Sequence, residues 1–325
     1  MAFIFILIIN QEALTTEIKE KTMAYQKLSI KQNDGKEVYG YCWKSESPSK
    51  GNVVIAHGMC EYSLRYEDFA EFLCSNGYNV YSLDHLGHGI NASNGLGVWD
   101  KNGFDQCVDN IHELIKSIQE SNAPIYLLGH SMGSYMSQYY IEKYGKEPII
   151  SKMILIGTSG PRGAFKLGKF IAKFTSIFKK LSAPAPFLKK MSFSGFNKKI
   201  KKAERYGKND WISSNLEIRK KYGKDPFCTF VPSVGFYYSF FSSLVKLHSK
   251  KYRALSSKDV DIFIIGGKED PVTMYGKGMR ELSAIYSKMG IKTEMKIYEG
   301  MRHELLNETN NVTVYNDIVS FLMQK

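Results

Sequence analysis

The chain has 325 residues, of which 43% are hydrophobic and 23% are charged, so it can bury a sizeable core in one large domain or two small ones. This composition excludes a disordered or collagen-like protein. The five cysteines show no paired or histidine-linked spacing, so neither a disulfide framework nor a metal site is predicted, and a reducing, cytoplasmic setting is favoured.

Residues 1–22 are predicted to be an N-terminal extension of uncertain role. Its apolar run from Phe3 to Ile9 is far shorter than the roughly 20 residues that cross a membrane. No Lys or Arg precedes the run and no clear cleavage site follows it, which argues against a secretory signal. A second start-like methionine, Met23, leads into the first convincing strand. The extension is therefore either dispensable or a weak surface anchor.

Eight short runs rich in apolar and β-branched residues are predicted to be strands. They are Leu28–Lys31, Glu37–Trp43, Asn52–Ala56, Asn79–Leu83, Ile125–Leu128, Met153–Ile156, Asp261–Ile265 and Thr293–Tyr298. From the third run onward, helix-length stretches alternate with the strands, for example Tyr66–Cys74, Phe104–Glu120, Met132–Tyr144 and Tyr275–Met289. This alternation predicts a mostly parallel sheet with helices on both faces.

A basic and aromatic segment interrupts the alternation at residues 160–255. We predict that it is a helical cap inserted into a sheet domain formed by residues 23–159 and 256–325. Between Pro161 and Arg205 there are 13 Lys and Arg residues against one acid, Glu204, a balance of 13 − 1 = +12. The net charge of the whole chain is also +12, so the excess charge is concentrated in the cap.

The segment Gly129-His130-Ser131-Met132-Gly133 follows one predicted strand directly and leads into a helical pattern. Its G-x-S-x-G spacing is typical of a sharp strand-to-helix turn that projects a serine hydroxyl at the carboxyl end of a sheet. The first amides of the following helix favour negative charge there. We therefore predict that Ser131 is a nucleophile. The alternative is a solvent-facing serine in a glycine-rich turn.

A nucleophilic serine needs a base, and the base needs an acid that orients it. Asp270 in GGKEDPV follows one strand, and His303 in GMRHELLNE follows the last strand at a predicted helix start. Both lie beyond strand carboxyl ends, where a parallel sheet gathers its functional groups. We predict that Asp270 is the acid and His303 the base. Alternatively, Asp270 is a turn former beside its competitor Glu269, and His303 caps a helix.

Acyl transfer also needs hydrogen-bond donors for the developing oxyanion. The turn His57-Gly58 follows the central strand, so the next amide, that of Met59, is expected to point toward the serine. The amide of Met132, directly after the serine, is the second expected donor. Ordinary core packing is the alternative role for Met59.

Four of these segments together resemble the monoacylglycerol lipase and lysophospholipase group of α/β-hydrolases. They are HGMCEYSLRYEDFAEFLCSNGYNVYSLDHLGHG, LLGHSMGS, GGKEDPV and GMRHELLNE, and the resemblance spans about Val38–Pro161 and Val260–Lys325. The resemblance implies an α/β-hydrolase fold that works without a cofactor. It also implies catalytic and oxyanion roles for Ser131, Asp270, His303, Met59 and Met132.

Residues 165–181 of the cap show an amphipathic helical pattern. Seven apolar residues fall within an arc of about 120°: Leu167, Phe170, Ile171, Phe174, Ile177, Phe178 and Leu181. Three roles remain open for this helix: packing on the sheet domain, facing an anionic membrane, or binding nucleic acid, for which no known module is recognisable. A membrane-facing surface would consist of Lys166, Lys169, Phe170, Lys173, Phe174, Phe178, Lys179 and Lys180.

The sequence therefore predicts a serine hydrolase of carboxylic esters that forms an acyl-enzyme, with mono- or lysoglycerolipids as the expected substrates. Amide hydrolysis at a peptide N-terminus and acyl transfer to another alcohol would use the same three residues. A lipid-surface binding protein with a vestigial triad is a further alternative. The expected partners are a lipophilic ester and, through the basic cap, the inner face of a membrane; nucleic acid is not expected.

Overall fold

The computed structural model describes residues 25–32, 35–119, 123–146 and 149–324, and the predicted extension 1–22 lies outside them. Within these residues the chain forms eight strands. They are β1 (Gln26–Lys31), β2 (Glu37–Trp43), β3 (Gly51–Ala56), β4 (Tyr78–Leu83), β5 (Ile125–His130), β6 (Ile150–Ile156), β7 (Asp261–Gly267) and β8 (Thr293–Tyr298). Each overlaps one of the eight predicted runs.

The strands form one sheet in the order β1-β2-β4-β3-β5-β6-β7-β8. β2 pairs antiparallel with both β1 and β4, whereas every pair from β4 to β8 is parallel. The mostly parallel sheet predicted from the alternation is thus confirmed. Its topology brings the carboxyl ends of the parallel strands, and the loops that follow them, to one edge of the sheet.

Ten α-helices lie within the described residues. They are α1 (Glu67–Ser75), α2 (Gly103–Ile118), α3 (Met132–Lys143), α4 (Gly163–Phe178), α5 (Pro186–Phe193), α6 (Leu216–Lys224), α7 (Val234–Leu247), α8 (Lys250–Arg253), α9 (Lys277–Lys288) and α10 (Asn311–Met323). The predicted start of α9 at Tyr275 is wrong. Met274, Tyr275 and Gly276 have φ angles of 55°, 57° and 83°, and this left-handed backbone cannot belong to a right-handed helix.

The inner strands are apolar throughout because helices cover both faces of the sheet. In β3, Val54 and Ala56 face the core cluster that contains α2, α3 and α9. Val53 and Ile55 face the opposite cluster, which contains α1 and α10. Successive side chains of a strand point to opposite faces, so a strand buried on both sides carries an unbroken apolar run.

Helices α4 to α8 all lie between β6 and β7, in residues 157–260, which we call the insert. α7 joins the insert to the core, since most of its apolar residues are buried in the cluster of α2 and α3. α4 packs against α7 through its small residues Gly168 and Ala172. A Cβ atom at Gly168 would lie only 2.8 Å from the ring of Phe241, so the glycine permits this close approach.

The first turn of α3 passes even closer to the end of β3. A Cβ atom at Gly133 would lie 1.9 Å from the carbonyl oxygen of Ala56, and this backbone oxygen has no room to move. We expect Gly133→Ala to lower the free energy of unfolding by about 3 kcal/mol, because overpacking must displace a buried strand or helix. Urea denaturation measures the change.

The matched control is Gly223→Ala in α6, where a Cβ atom would meet nothing within 4 Å. This variant should be unchanged or slightly stabilised, since alanine is a better helix former than glycine. Equal stability of the two variants would contradict the close packing of α3 on β3.

Candidate active site

Ser131 occupies the turn between β5 and α3. Its backbone has φ 52° and ψ −115°, a left-handed conformation that costs a non-glycine residue on the order of 1–3 kcal/mol. The amide of Ser131 donates to the carbonyl of Ile156 at the end of β6 (2.9 Å). The turn is thereby held against the neighbouring strand, and the serine lines a cavity at the carboxyl edge of the sheet.

The structure brings His303 and Asp270 together. Oδ2 of Asp270, which is fully buried in the loop after β7, lies 3.0 Å from Nδ1 of His303. Oδ1 of Asp270 accepts a hydrogen bond from the amide of Val272 (2.7 Å). Both carboxylate oxygens are therefore fixed, and the contact at Nδ1 leaves Nε2 of His303 available to the cavity that the histidine lines.

The imidazole of His303 can lie close to the end of β6 because residue 157 is a glycine. A Cβ atom at Gly157, directly after β6, would lie 2.8 Å from Cε1 of His303. The prediction that His303 stands at a helix start is wrong, since the residue lies in the loop after β8 and a 3-10 turn begins only at Leu305. A loop position lets neighbouring segments, rather than a helix, orient the ring.

Met59 and Met132 line the same cavity as Ser131. Within the part of the chain that the structure describes, neither of their amides has a hydrogen-bond acceptor. The amide of Met132 is free because Met132 begins α3, and the first amides of a helix have no acceptor within it. Two unused donors thus lie at the edge of the cavity that Ser131 occupies.

A buried ionic cluster, which sequence reasoning did not assign, lies beneath these loops. Oε1 of Glu61 accepts hydrogen bonds from the amide of Gly58 (2.6 Å) and the hydroxyl of Tyr66 (2.9 Å). The same oxygen lies 2.8 Å from Nδ1 of His130. Gly58 precedes Met59 and His130 precedes Ser131, so one carboxylate connects the predicted oxyanion loop to the turn of the serine.

Arg65 extends this cluster to the loop of His303. Its guanidinium donates to Oε2 of Glu61 (2.8 Å) and to both carboxylate oxygens of Glu304 (2.8 and 2.6 Å). Glu304 directly follows His303. Glu61 and Arg65 are only four positions apart and are therefore close along the chain, whereas nothing in the sequence pointed to Glu304 or His130 as partners.

Glu61 and His130 each stabilise the charged form of the other. Burial disfavours charge on His130, but the Glu61 carboxylate outweighs this effect and raises the pKa of the histidine. Burial would likewise raise the pKa of Glu61, yet the charges of His130 and Arg65 hold it well below its usual range. The two residues therefore form an ion pair, which compensates the cost of burying both charges.

The insert is fastened to the loop that carries His303. The guanidinium of Arg302, a fully buried residue, donates to the carbonyls of Asp210 (2.9 Å) and Ser213 (3.0 Å). These two residues lie on either side of Trp211 in the chain, and the ring centroid of Trp211 lies 5.0 Å from that of His303. The indole therefore covers the imidazole on the side of the insert.

The cavity has a volume of about 690 Å³ and opens above Ser131 and His303. Its apolar end lies between α3, α4 and α7 and is lined by Tyr135, Phe165, Gly168, Phe240 and Phe241. Its other end, which we call the polar end because three lysines line it, lies between α5 and the loop before α6. It is lined by Lys189, Lys190 and Lys208 and, beside them, by Trp211, Ile212 and the rings of Phe193 and Phe196. Among the described residues, no cluster of His, Cys, Asp or Glu is placed to hold a metal ion.

The outer face of α4 is apolar and exposed. Of the seven apolar residues in the predicted arc, five are 55–71% exposed: Leu167, Phe170, Phe174, Ile177 and Phe178. Packing of this face on the sheet domain, one of the three roles considered, is thus wrong, because the five side chains are exposed and α4 packs instead on α7 of the insert through its small residues. Lys166, Lys173, Lys179 and Lys180 are exposed as well, and Lys169 is half-buried.

α4 adds an apolar surface without providing a membrane span. None of the described helices has the length and apolar character needed to cross a bilayer.

Residues 47–310 match the family model described as serine aminopeptidase, S33 (Hydrolase_4). The chain belongs to this family. Human monoglyceride lipase is 26% identical to this S33-family chain over 314 residues, which cover 94% of the chain and 93% of the human protein.

Two solved structures are similar to this S33-family fold. A thermostable carboxyl esterase from Bacillus coagulans, in complex with glycerol, has a TM-score of 0.84 and 29% identity, with 93% of this chain and 98% of the esterase covered. A soluble variant of monoglyceride lipase from Saccharomyces cerevisiae has a TM-score of 0.72 and 21% identity, with 94% and 97% covered. The α/β-hydrolase fold and the resemblance to monoacylglycerol lipases are confirmed.

The ion pair of Glu61 and His130 makes the stability of this S33-family chain depend on pH. We expect Glu61→Gln to lower the free energy of unfolding by about 3 kcal/mol near pH 6, because it leaves buried charges without their partner. The pKa of His130 is raised by folding, so its contribution is complete below the unfolded value of about 6.5 and is lost as pH rises through the folded value.

The difference between wild type and Glu61→Gln should therefore shrink as the pH rises above that range. Urea denaturation of both proteins between pH 5.5 and pH 9 measures it. A difference that stays constant over the whole range would show that His130 does not carry the charge.

Proposed function

We propose that this protein hydrolyses carboxylic esters, with Ser131 as the nucleophile, His303 as the base and Asp270 as the acid that orients it. The observation that carries the proposal is the buried His303–Asp270 pair, which borders the same cavity as the strained turn of Ser131. A carboxylate at Nδ1 selects the tautomer whose Nε2 accepts a proton. Relatives named monoglyceride lipase and carboxyl esterase support this chemistry.

The proposed reaction has two halves. Nε2 of His303 takes the proton of Ser131 while Oγ attacks the ester carbonyl, and the amides of Met59 and Met132 stabilise the oxyanion. His303 then gives its proton to the leaving alcohol, and an acyl-enzyme remains. Water, deprotonated by the same histidine, attacks the acyl-enzyme and releases the carboxylic acid and the free serine.

The lining of the cavity supports a lipophilic acyl group. The rings of Tyr135, Phe165, Phe240 and Phe241 form its apolar end, and burial of apolar surface there contributes about 25 cal/mol per Å² to binding. A volume of about 690 Å³ is within the range of small-ligand sites. A glycerolipid with one acyl chain is therefore the substrate class that we propose.

The charges of the cavity favour an ester over the N-terminus of a peptide, although the family description names aminopeptidases. A free α-amino group is recognised by carboxylates. The two carboxylates in the lining, Glu61 and Glu304, are both paired with Arg65. Both carboxylates already form ion pairs with Arg65, and binding an ammonium group would break these pairs.

We further propose that the insert acts as a cap and rests on an anionic membrane through the outer face of α4. Leu167 and Gly168 line the cavity while their neighbours on α4 form the exposed apolar face, so this face borders the site. Aromatic side chains enter the interface, and each lysine near an anionic surface adds about 1 kcal/mol. A lipid ester could then reach Ser131 without crossing water.

The first test is Ser131→Ala. Because the members of a triad act as a unit, we expect the turnover of p-nitrophenyl hexanoate to fall by at least about 10⁴-fold. A fluorophosphonate probe should label wild type and not the variant, as detected by mass spectrometry of the intact protein.

The matched control for this test is Ser137→Ala, which removes a buried hydroxyl of α3 that donates to the carbonyl of Gly133. It should be labelled like wild type. Labelling of Ser131→Ala, or turnover by it near the wild-type rate, would rule out Ser131 as the nucleophile.

The second test concerns the membrane. Replacing Phe170, Phe174 and Phe178 by Ser should lower partitioning onto phosphatidylglycerol-containing vesicles at least about tenfold, because three exposed rings no longer enter the interface. Lys173→Gln, Lys179→Gln and Lys180→Gln together should weaken binding at low salt only. Co-sedimentation measures both.

Val312→Ser is the matched control, since Val312 is 56% exposed on α10, which covers the opposite face of the sheet. It should bind vesicles like wild type. If the serine variants bind vesicles normally but alter self-association, the face is a contact between proteins and the membrane proposal is wrong.

A further inference from the structure

The polar end of the cavity carries positive charge from three lysines. Lys189 and Lys190 belong to α5, and Lys208 belongs to the loop before Trp211; all three line the cavity. Burial, and in addition the nearby charge of Lys208, lower the pKa of Lys189. The ammonium groups of Lys189 and Lys208 therefore lie close enough to repel each other.

Carboxylates of the lining do not balance this charge. Glu61 and Glu304 are committed to Arg65. Among the residues that the structure describes, none of the three lysines forms an ion pair with an Asp or Glu. The ammonium of Lys189 instead donates to the carbonyls of Phe230 (2.7 Å) and Thr229 (3.2 Å), which fix its position without cancelling its charge.

The lysines lie near the reacting groups. The carbonyl of Phe230 that accepts from Lys189 also lies 3.8 Å from Sγ of Cys60, and Cys60 directly follows Met59, a proposed oxyanion donor. Lys208 is three positions before Trp211, the residue that covers the imidazole of His303. Lys189 thus borders the proposed oxyanion loop, and Lys208 belongs to the segment whose Trp211 covers the base.

The two ends of the cavity suit the two halves of an ester. His303 protonates the leaving alcohol, so the alcohol is expected on the side of the cavity that Trp211 covers. The acyl chain is then expected at the apolar end, among the rings of Phe165, Phe240 and Phe241. The alcohol part of the substrate consequently lies where the positive charge is concentrated.

We propose that this site acts on a glycerolipid with one acyl chain whose head group is a terminal phosphate monoester, and that Lys189, Lys190 and Lys208 bind the phosphate. The inference rests on the proposed ester hydrolysis: water cleaves the ester into a fatty acid and a glycerol phosphate. A phosphate has several acceptor oxygens for charge-assisted hydrogen bonds. A neutral glycerol leaves the lysines unbalanced, and a choline places a positive charge beside them.

The test compares three esters with the same hexanoyl chain at concentrations below micelle formation, so that surface adsorption does not contribute. They are 1-hexanoylglycerol 3-phosphate, 1-hexanoylglycerol and 1-hexanoyl-glycero-3-phosphocholine. We expect kcat/KM for the phosphate ester to exceed that for either of the others by about tenfold, the value of one charge-assisted hydrogen bond. Equal kcat/KM values, or a preference for the neutral ester, would overturn the proposal.

Two single variants and a control locate the effect. Lys208→Gln and, separately, Lys190→Gln should each reduce the preference for the phosphate ester to about threefold, since exposed cations contribute less than buried ones. Lys202→Gln makes the same charge change at an exposed lysine outside the cavity and should keep the full preference. If all three variants lose it equally, the preference reflects the overall charge of the protein and the proposed site is wrong.

Inhibition by the two products distinguishes a phosphate site from a site for the fatty acid. Glycerol 3-phosphate should inhibit hydrolysis of p-nitrophenyl hexanoate more strongly than hexanoate does; stronger inhibition by hexanoate would mean that the lysines bind the carboxylate product. Fluorophosphonate labelling of Ser131 with no preference among the three esters would overturn this inference alone. Absence of both labelling and turnover would overturn the proposed hydrolysis itself.

Discussion

The carboxylate of Glu61 holds together the three loops from which the candidate site is built. It binds the amide of Gly58 in the proposed oxyanion loop and the imidazole of His130 before the serine, and through Arg65 it reaches Glu304 after the proposed base. These loops follow three different strands, so the sheet brings them to one edge but does not fix their relative positions. A buried ion pair tolerates little displacement, because separating it leaves unpaired charges in the interior.

The insert adds a second constraint on the same histidine. Arg302 binds two carbonyls of the insert and adjoins His303, so the segment that carries Trp211 must move together with the base loop. α4 is attached elsewhere: it packs along α7 through Gly168 and Ala172, and Arg162, directly before it, donates to the carbonyl of Val272 in the loop of Asp270. The Trp211 segment thus keeps the imidazole in place from the side of the insert.

The sequence was sufficient to predict the strands and the order of the three proposed catalytic residues, because a strand buried on both faces leaves an unbroken apolar run. The ionic cluster was not predictable, since Glu304 lies 239 positions from Arg65 and only the folded sheet brings them together. The start of α9 was missed because Met274 and Tyr275 adopt a left-handed backbone without the glycine that usually signals it. Amphipathic periodicity located the apolar face of α4, but periodicity does not say what that face contacts.

The two faces of α4 tolerate substitution to very different extents. Its inner face, with Gly168 against the ring of Phe241, tolerates almost no change in volume. The apolar side chains of its outer face are 55–71% exposed, so substitutions there cost little folding stability, as is usual for exposed positions. Descendants of this chain could therefore exchange the aromatic and basic residues of the outer face freely. The proposed membrane contact could thus be adapted to membranes of different composition while the interior stays unchanged.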